Sequence, residues 1–272
     1  MVHVATAAAH AAWCFCRGPC VTLPRGGMRQ PHPRPLEVCH PSLRAVNESS
    51  LARMLISMWR LPALGVLFDL DGVLVDSTEC VRRAWYEWAA RHGVDGRATY
   101  PLGLGRTTLD HLRLAAPELA TTAHAGAVAA LEDAYVEAVT AQPGAVTALA
   151  ALAAAGLPWG VVTSCPRPAA LDRLDAAGLK APAVLVSADD VARPKPAPDG
   201  YRAGCARLGV PPSRVVVFED APAGIEAART AGAAAVAVGV PADGLPWIAD
   251  LSAVTFVPDA ASGGVDVVSG HR

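Results

Sequence analysis

Short apolar runs that stop at a polar or acidic residue, separated by longer stretches with helical spacing, constrain this chain more than any other feature. The runs are "LGVLF" (64–68), "WGVVT" (159–163), "AVLVS" (183–187), "RVVVFE" (214–219) and "AAVAV". A continuous apolar run of this length, bounded by turn residues, reads as a buried strand. Between the runs lie "GAVTALAALAAAG" after Pro143, "RPAALDRLDAAG", "DGYRAGCARLG" and "AGIEAARTAG", each ending at a glycine where a helix C-terminus favours one. Repeated strand–helix units predict an α/β fold with a doubly wound parallel sheet, and ligands at the carboxyl ends of its strands.

One segment breaks the rhythm. Residues 78–141 carry helical patterns and no convincing strand, and in "TECVRRAWYEWAARHG" Val81, Ala84, Trp85 and Trp88 form a stripe at helical spacing. An all-helical insertion directly after the first strand would lie over the strand ends as a cap. Trp85 and Trp88 read as the core of that insertion rather than as ligand contacts. The first 58 residues are basic, proline-containing and without periodicity, and we expect a disordered extension there. Met54 and Met58 stand just before the first strand and are candidate start sites. The expected organisation is an extension (1–58), a core (59–77 and 142–272) and a helical cap (78–141).

A hydrophobic content of 52% excludes global disorder, and a net charge of −2 gives no field for nucleic acid. No stretch qualifies as a membrane span, because residues 51–68 are interrupted by Arg53, Arg60 and Pro62. The alanine-rich start lacks the basic region of a signal peptide. Seven dispersed cysteines do not resemble a secreted disulfide framework, and Cys14, Cys16, Cys20, Cys39 and His40 match no closed zinc module. We expect a cytoplasmic monomer with neither nucleic-acid nor membrane partners.

The chemistry lies at the strand ends. "VLFDLDG" runs an apolar strand into Asp69 and Asp71, whose side chains leave on the same side roughly 7 Å apart. Burying lone carboxylates is costly, so the pair calls for a cation or a reaction. "RVVVFED" repeats the pattern with Glu219 and Asp220, and acids ending two parallel strands can share a hard cation such as Mg²⁺. Thr163 and Ser164 in "VVTSC" offer a hydroxyl and free amides to an anionic oxygen, although such residues also cap helices everywhere. Arginine outnumbers lysine 21 to 2, so Lys195, between prolines in "RPKPAPDGY", is conspicuous as a compact point charge. Each signal has a bland alternative; all four in order, each at a strand end, leave little room for one.

These residues identify a resemblance. From about residue 63 to 258 the chain resembles the haloacid-dehalogenase-like phosphohydrolases with a helical cap, through "DLDGVLVDS", Thr163, Lys195 in "RPKPAPDGY" and "FEDAPAG". The resemblance implies a Rossmann-like core and an aspartyl-phosphate mechanism. It implies Asp69 as nucleophile and Asp71 as general acid and then base. Thr163 and the Ser164 amide would hold the phosphoryl group, and Lys195 would neutralise charge beside Asp69. Mg²⁺ would be held by Asp69, the Asp71 carbonyl and Asp220, with Glu219 as a near or direct ligand. A metal and a lysine are also what a carboxylate nucleophile needs to approach a phosphate dianion.

Several reactions share this family. Asp71 and the Glu219–Asp220 pair argue against its metal-free dehalogenases, and the absence of a cap lysine argues against its phosphonate-cleaving members. Beta-phosphoglucomutase carries a histidine where this chain has Val81 and uses a cap lysine missing here. "FEDAPAG", "PGA" (143–145) and "GRTT" (105–108) most resemble the sugar-phosphate and glycerol-phosphate phosphatases, in which a cap Gly-Arg loop reaches the substrate; Arg106 is the candidate. The expectation is a Mg²⁺-dependent phosphatase for a small phosphorylated metabolite. A beta-phosphoglucomutase-like phosphotransferase and a non-catalytic module on the same fold are the alternatives.

Overall fold

The computed structural model describes residues 59–242 and 244–270. The expected extension over 1–58, with its cysteines and His40, lies outside the described residues. In chain order the first elements are strands β1 (Arg60–Ala63), β2 (Gly65–Phe68) and β3 (Val75–Asp76). Helices α1 (Thr78–Arg91), α2 (Gly96–Thr99), α3 (Thr108–Ala115) and α4 (Thr122–Ala134) follow, then strand β4 (Thr140–Ala141). Next come α5 (Ala145–Ala154), β5 (Trp159–Val162), α6 (Arg167–Ala176), β6 (Val184–Val186) and α7 (Asp199–Leu208). The remainder is β7 (Val215–Glu219), α8 (Pro222–Ala231), β8 (Ala234–Val238), β9 (Trp247–Ile248), β10 (Val254–Asp259) and β11 (Gly264–Ser269).

The five expected strands all form, and with β9 they build one parallel sheet in the order β6-β5-β2-β7-β8-β9. The chain starts near the middle at β2 and winds outward in both directions, which makes the sheet doubly wound. Side-chain alternation sorts its two faces. Val66, Phe68, Val216 and Phe218 share one core with α5 and α6, while Leu67, Val215 and Val217 share another with α7 and α8. Phe68 stands beside Val161 on one neighbouring strand and Phe218 on the other, so the carboxyl ends of β2, β5 and β7 finish level.

The helical segment leaves the core through β3 and returns through β4, which pair antiparallel as Val75↔Ala141 and Asp76↔Thr140. That two-residue return strand falls within the stretch expected to hold none; so short a strand has no periodicity to read. The segment has its own core of Trp85, Trp88, Ala89, Leu112, Ala116 and Val128. Thr107 and Thr121 cap α3 and α4 by accepting from Asp110 N and His124 N. A second, antiparallel sheet, β1-β11-β10, packs Ala63, Phe256, Val265 and Val267 into the core that holds Phe68 and Phe218. No helix among the described residues is long and apolar enough to cross a membrane.

Candidate active site

The level strand ends bring the sequence-predicted residues to one place. Asp69 follows β2 directly and its N–H donates to Phe218 O at 2.9 Å, extending the ladder by one residue and fixing the backbone there. Lys195 reaches in from the loop before α7. Its ammonium has three donors and uses them on Asp69 Oδ1 at 2.7 Å, Glu219 Oε1 at 2.6 Å and Val162 O at 3.2 Å. Glu219, fully buried at the end of β7, also accepts from the Tyr201 hydroxyl at 2.8 Å and from Ala221 N at 3.0 Å. These bonds orient a carboxylate that would otherwise be very costly to bury.

Asp69, Glu219 and Asp220 each offer an oxygen, all within 4.8 Å of one another. Three carboxylates around one ammonium leave excess negative charge, and the donors are all oxygen. That set fits a hard divalent cation such as Mg²⁺. Without one, burial and the facing Glu219 push the Asp220 carboxyl up to about 7. Burial, with Glu219 and Asp220 alongside, likewise raises Asp69 against the pull of Lys195. Burial alone would lower Lys195, but the charges of Asp69 and Glu219 outweigh it and hold the ammonium protonated.

Asp69, Asp71, Thr163, Ser164, Asp220 and Arg106 line one cavity of about 150 Å³ between the strand ends and the helical segment. Lys195 and Glu219 lie behind it. Thr163 Oγ1 accepts from Cys165 N at 3.2 Å, and the Ser164 hydroxyl donates to Gly105 O at 3.2 Å, joining the end of β5 to the loop that carries Arg106. Arg106 itself is exposed at the rim. Val81 also lines the cavity.

Four side chains here escaped the reading of the sequence. Arg173 on α6 is buried and donates to Asp71 Oδ2 at 2.7 Å and Glu132 Oε2 at 2.6 Å. Its signal was present: it shares the inward face of α6 with Ala170 and Leu174, where an arginine is out of place. Glu132 likewise follows the buried Val128 at helical spacing on α4. His111 stacks on Trp85 with ring centroids 3.6 Å apart and bonds Thr99 O through Nε2 at 2.9 Å. Burial lowers its pKa, so the neutral ring donates from Nε2 and leaves Nδ1 an acceptor. Tyr201 closes the motif "RPKPAPDGY" but had no role assigned to it. Trp85 and Trp88 are core, as expected, and one side of Trp85 also lines the cavity.

The family model of the haloacid dehalogenase-like hydrolases matches residues 64–232. Among characterised proteins, the chain is 43% identical over 182 residues to hexitol phosphatase A of Escherichia coli (strain K12), covering 66% of this chain and 84% of that one. It is 41% identical over 174 residues to validoxylamine A 7'-phosphate phosphatase of Streptomyces hygroscopicus subsp. limoneus, covering 61% and 81%. The fold superposes on the crystal structure of CbbY from Rhodobacter sphaeroides in complex with phosphate with a TM-score of 0.62, at 26% identity, covering 70% of this chain and 95% of that one. With the acid-ended strands, the buried lysine and the helical segment between β3 and β4 in place, the chain belongs to the haloacid dehalogenase-like hydrolase family.

Proposed function

We propose that this protein is a Mg²⁺-dependent phosphatase that hydrolyses a sugar or polyol phosphate through an aspartyl-phosphate on Asp69, acting as a monomer in the cytoplasm. The observation that carries the reading is the Asp69 carboxylate, bonded to Lys195 at 2.7 Å and facing the cavity beside Asp220. In the first step an Asp69 oxygen attacks phosphorus, the bond to the ester oxygen breaks, and the Asp71 carboxyl gives its proton to the departing alkoxide. In the second, Asp71 takes a proton from water, the water oxygen attacks phosphorus, and Asp69 is released. Thr163 and the Ser164 amide hold the phosphoryl oxygens, and Lys195 offsets the charge of the nucleophile. Asp69, Asp220 and the Asp71 carbonyl would hold Mg²⁺, with Glu219 beside them. When bound, the cation supplies charge neutralisation for the phosphoryl group.

In this reading residues 78–141 are a cap over the core of 59–77 and 142–272, and Arg106 reaches the substrate from its rim. The sugar or polyol class is supported by the relatives whose names specify hexitol phosphate and validoxylamine 7'-phosphate. The cavity is walled by Trp85, Tyr100 and His111, an aromatic face with a polar acceptor. A mutase reading has less support, because Val81 lines the cavity and Lys180 and Lys195, both outside the helical segment, are the chain's only lysines.

Phosphate release from hexitol, glycerol and hexose phosphates and from nucleotides, with Mg²⁺ and with chelator, tests the reading in wild type and Asp69→Asn. Release confined to the wild type with Mg²⁺, greatest on a sugar or polyol ester, is expected. A folded, Mg²⁺-saturated wild type that hydrolyses none of these esters, or an Asp69→Asn variant as active as wild type, overturns it.

A further inference from the structure

Arg173 stands on α6, outside the strand-end motifs at 69–71, 163–164, 195 and 219–220, with 5% of its side chain exposed. Burying a guanidinium costs several kcal/mol unless carboxylates compensate it closely. Here the two carboxylates come from different parts of the molecule: Asp71 just after β2, at 2.7 Å, and Glu132 on α4 of the helical segment, at 2.6 Å. The other Asp71 oxygen, Oδ1, is buried and has no hydrogen-bond partner among the described residues. A short carboxylic side chain with neither oxygen held has several staggered positions open to it. With Oδ2 held by a permanent cation, one position is selected and Oδ1 is left unpaired.

We propose that Arg173 is a positioning residue for Asp71, and that Glu132 makes that position depend on where α4 sits. The inference rests on the reading of Asp71 as proton donor to the leaving alkoxide. Glu132 and Asp71 share one guanidinium, so a displacement of α4 pulls on the same group that orients the acid. The proton is then best placed for transfer only with the helical segment seated as it is here.

The consequence for the first step is specific to the leaving group. An alkoxide must be protonated as it departs, whereas p-nitrophenolate leaves as a stable anion and needs no acid. The full-length protein is therefore assayed on sorbitol 6-phosphate, or another alkyl ester that the wild type cleaves, and on p-nitrophenyl phosphate. Arg173→Lys keeps the charge but cannot bridge both carboxylates. It is expected to lower the alkyl-to-aryl ratio of kcat/KM, which covers only the steps up to departure of the leaving group, on the order of 10²-fold, the typical contribution of general acid catalysis. Hydrolysis of the aspartyl-phosphate, with Asp71 as base, is common to both esters and cancels from that ratio. Glu132→Gln is expected to lower the same ratio roughly tenfold, as a misplaced but present acid would. Thermal melts establish that each variant is folded, and should Arg173→Lys fail to fold, Glu132→Gln carries the test.

An unchanged kcat/KM ratio in Arg173→Lys, whether or not kcat falls on both esters, overturns the positioning role. An unchanged ratio in Glu132→Gln overturns the dependence on α4. Absence of phosphate release by the wild type from either kind of ester instead overturns the phosphatase reading, and this inference with it.

Discussion

At the scale of single residues, size and conformation decide which side chain can serve. Lysine stands at 195 in an arginine-rich chain because three acceptors converge on a point, and an ammonium meets them where a planar fork could not. Gly72 is a second case. It turns the chain at φ +82°, and a Cβ there would overlap the Asp220 carboxylate. The substitution Gly72→Ala carries roughly 1–2 kcal/mol of left-handed strain, a modest loss of stability. Its larger effect falls on Asp220, which must move. We expect activity to require a higher Mg²⁺ concentration, with only a small drop in melting temperature. A Mg²⁺ titration of turnover that matches wild type would refute the role given to Asp220.

At the scale of elements, loops and helix ends are tied together by a few polar groups. Asp190 is the clearest: its Oδ2 accepts from Ser187 N and Oγ, both at 2.8 Å, and from Arg167 at 2.7 Å, while Oδ1 accepts from Arg207 at 2.9 Å. One carboxylate thus links the end of β6 to the start of α6 and the end of α7. The Ser187 amide, and then Arg207, hold the Asp190 carboxyl well below the usual carboxylate range. A depressed folded-state pKa contributes stability that is present above the unfolded value, about 4, and is lost as pH falls toward the folded one. Asp190→Asn should therefore cost about 1–2 kcal/mol at neutral pH, the scale of a lost cap. In urea denaturation the gap to wild type should narrow progressively below about pH 4. A gap that stays constant with pH would mean that the charge does not matter.

At the scale of the whole molecule, the C-terminal strands belong to the core. Phe256, Val265 and Val267 are buried among Phe68 and Phe218, and the Phe218 and Phe256 rings meet edge to face at 6.4 Å. Burying each such side chain is worth about 1.5–3 kcal/mol, and three together rival the 5–15 kcal/mol net stability of a typical domain. Ending the chain at Ala253 should accordingly abolish cooperative folding rather than trim a dispensable end. A truncated protein that melts cooperatively near the wild-type temperature would show the strands to be peripheral.

How much of this was legible follows from which forces are local. Five of the parallel strands, the helices between them and the acid-ended motifs could be read because apolar run length, helical spacing and C-terminal glycines are properties of adjacent residues. The antiparallel sheet was not: β1 runs almost directly into β2, β11 pairs with it across some 200 residues, as in Arg60↔Val268, and the β10–β11 hairpin buries its apolar side chains against Phe68 and Phe218 far back in the chain. The same divide runs through the site. The residue types at 69, 71, 163, 195, 219 and 220 were readable because each ends a strand or stiffens a loop. The Asp71–Arg173–Glu132 bridge joins positions 102 and 41 residues apart. Sequence alone determined which chemical groups the strand ends carry, since backbone propensity and burial pattern are local. Only the tertiary structure decided which buried charges face one another, because the cost of leaving a guanidinium or carboxylate unpaired is settled by whatever the packed chain brings within hydrogen-bond reach.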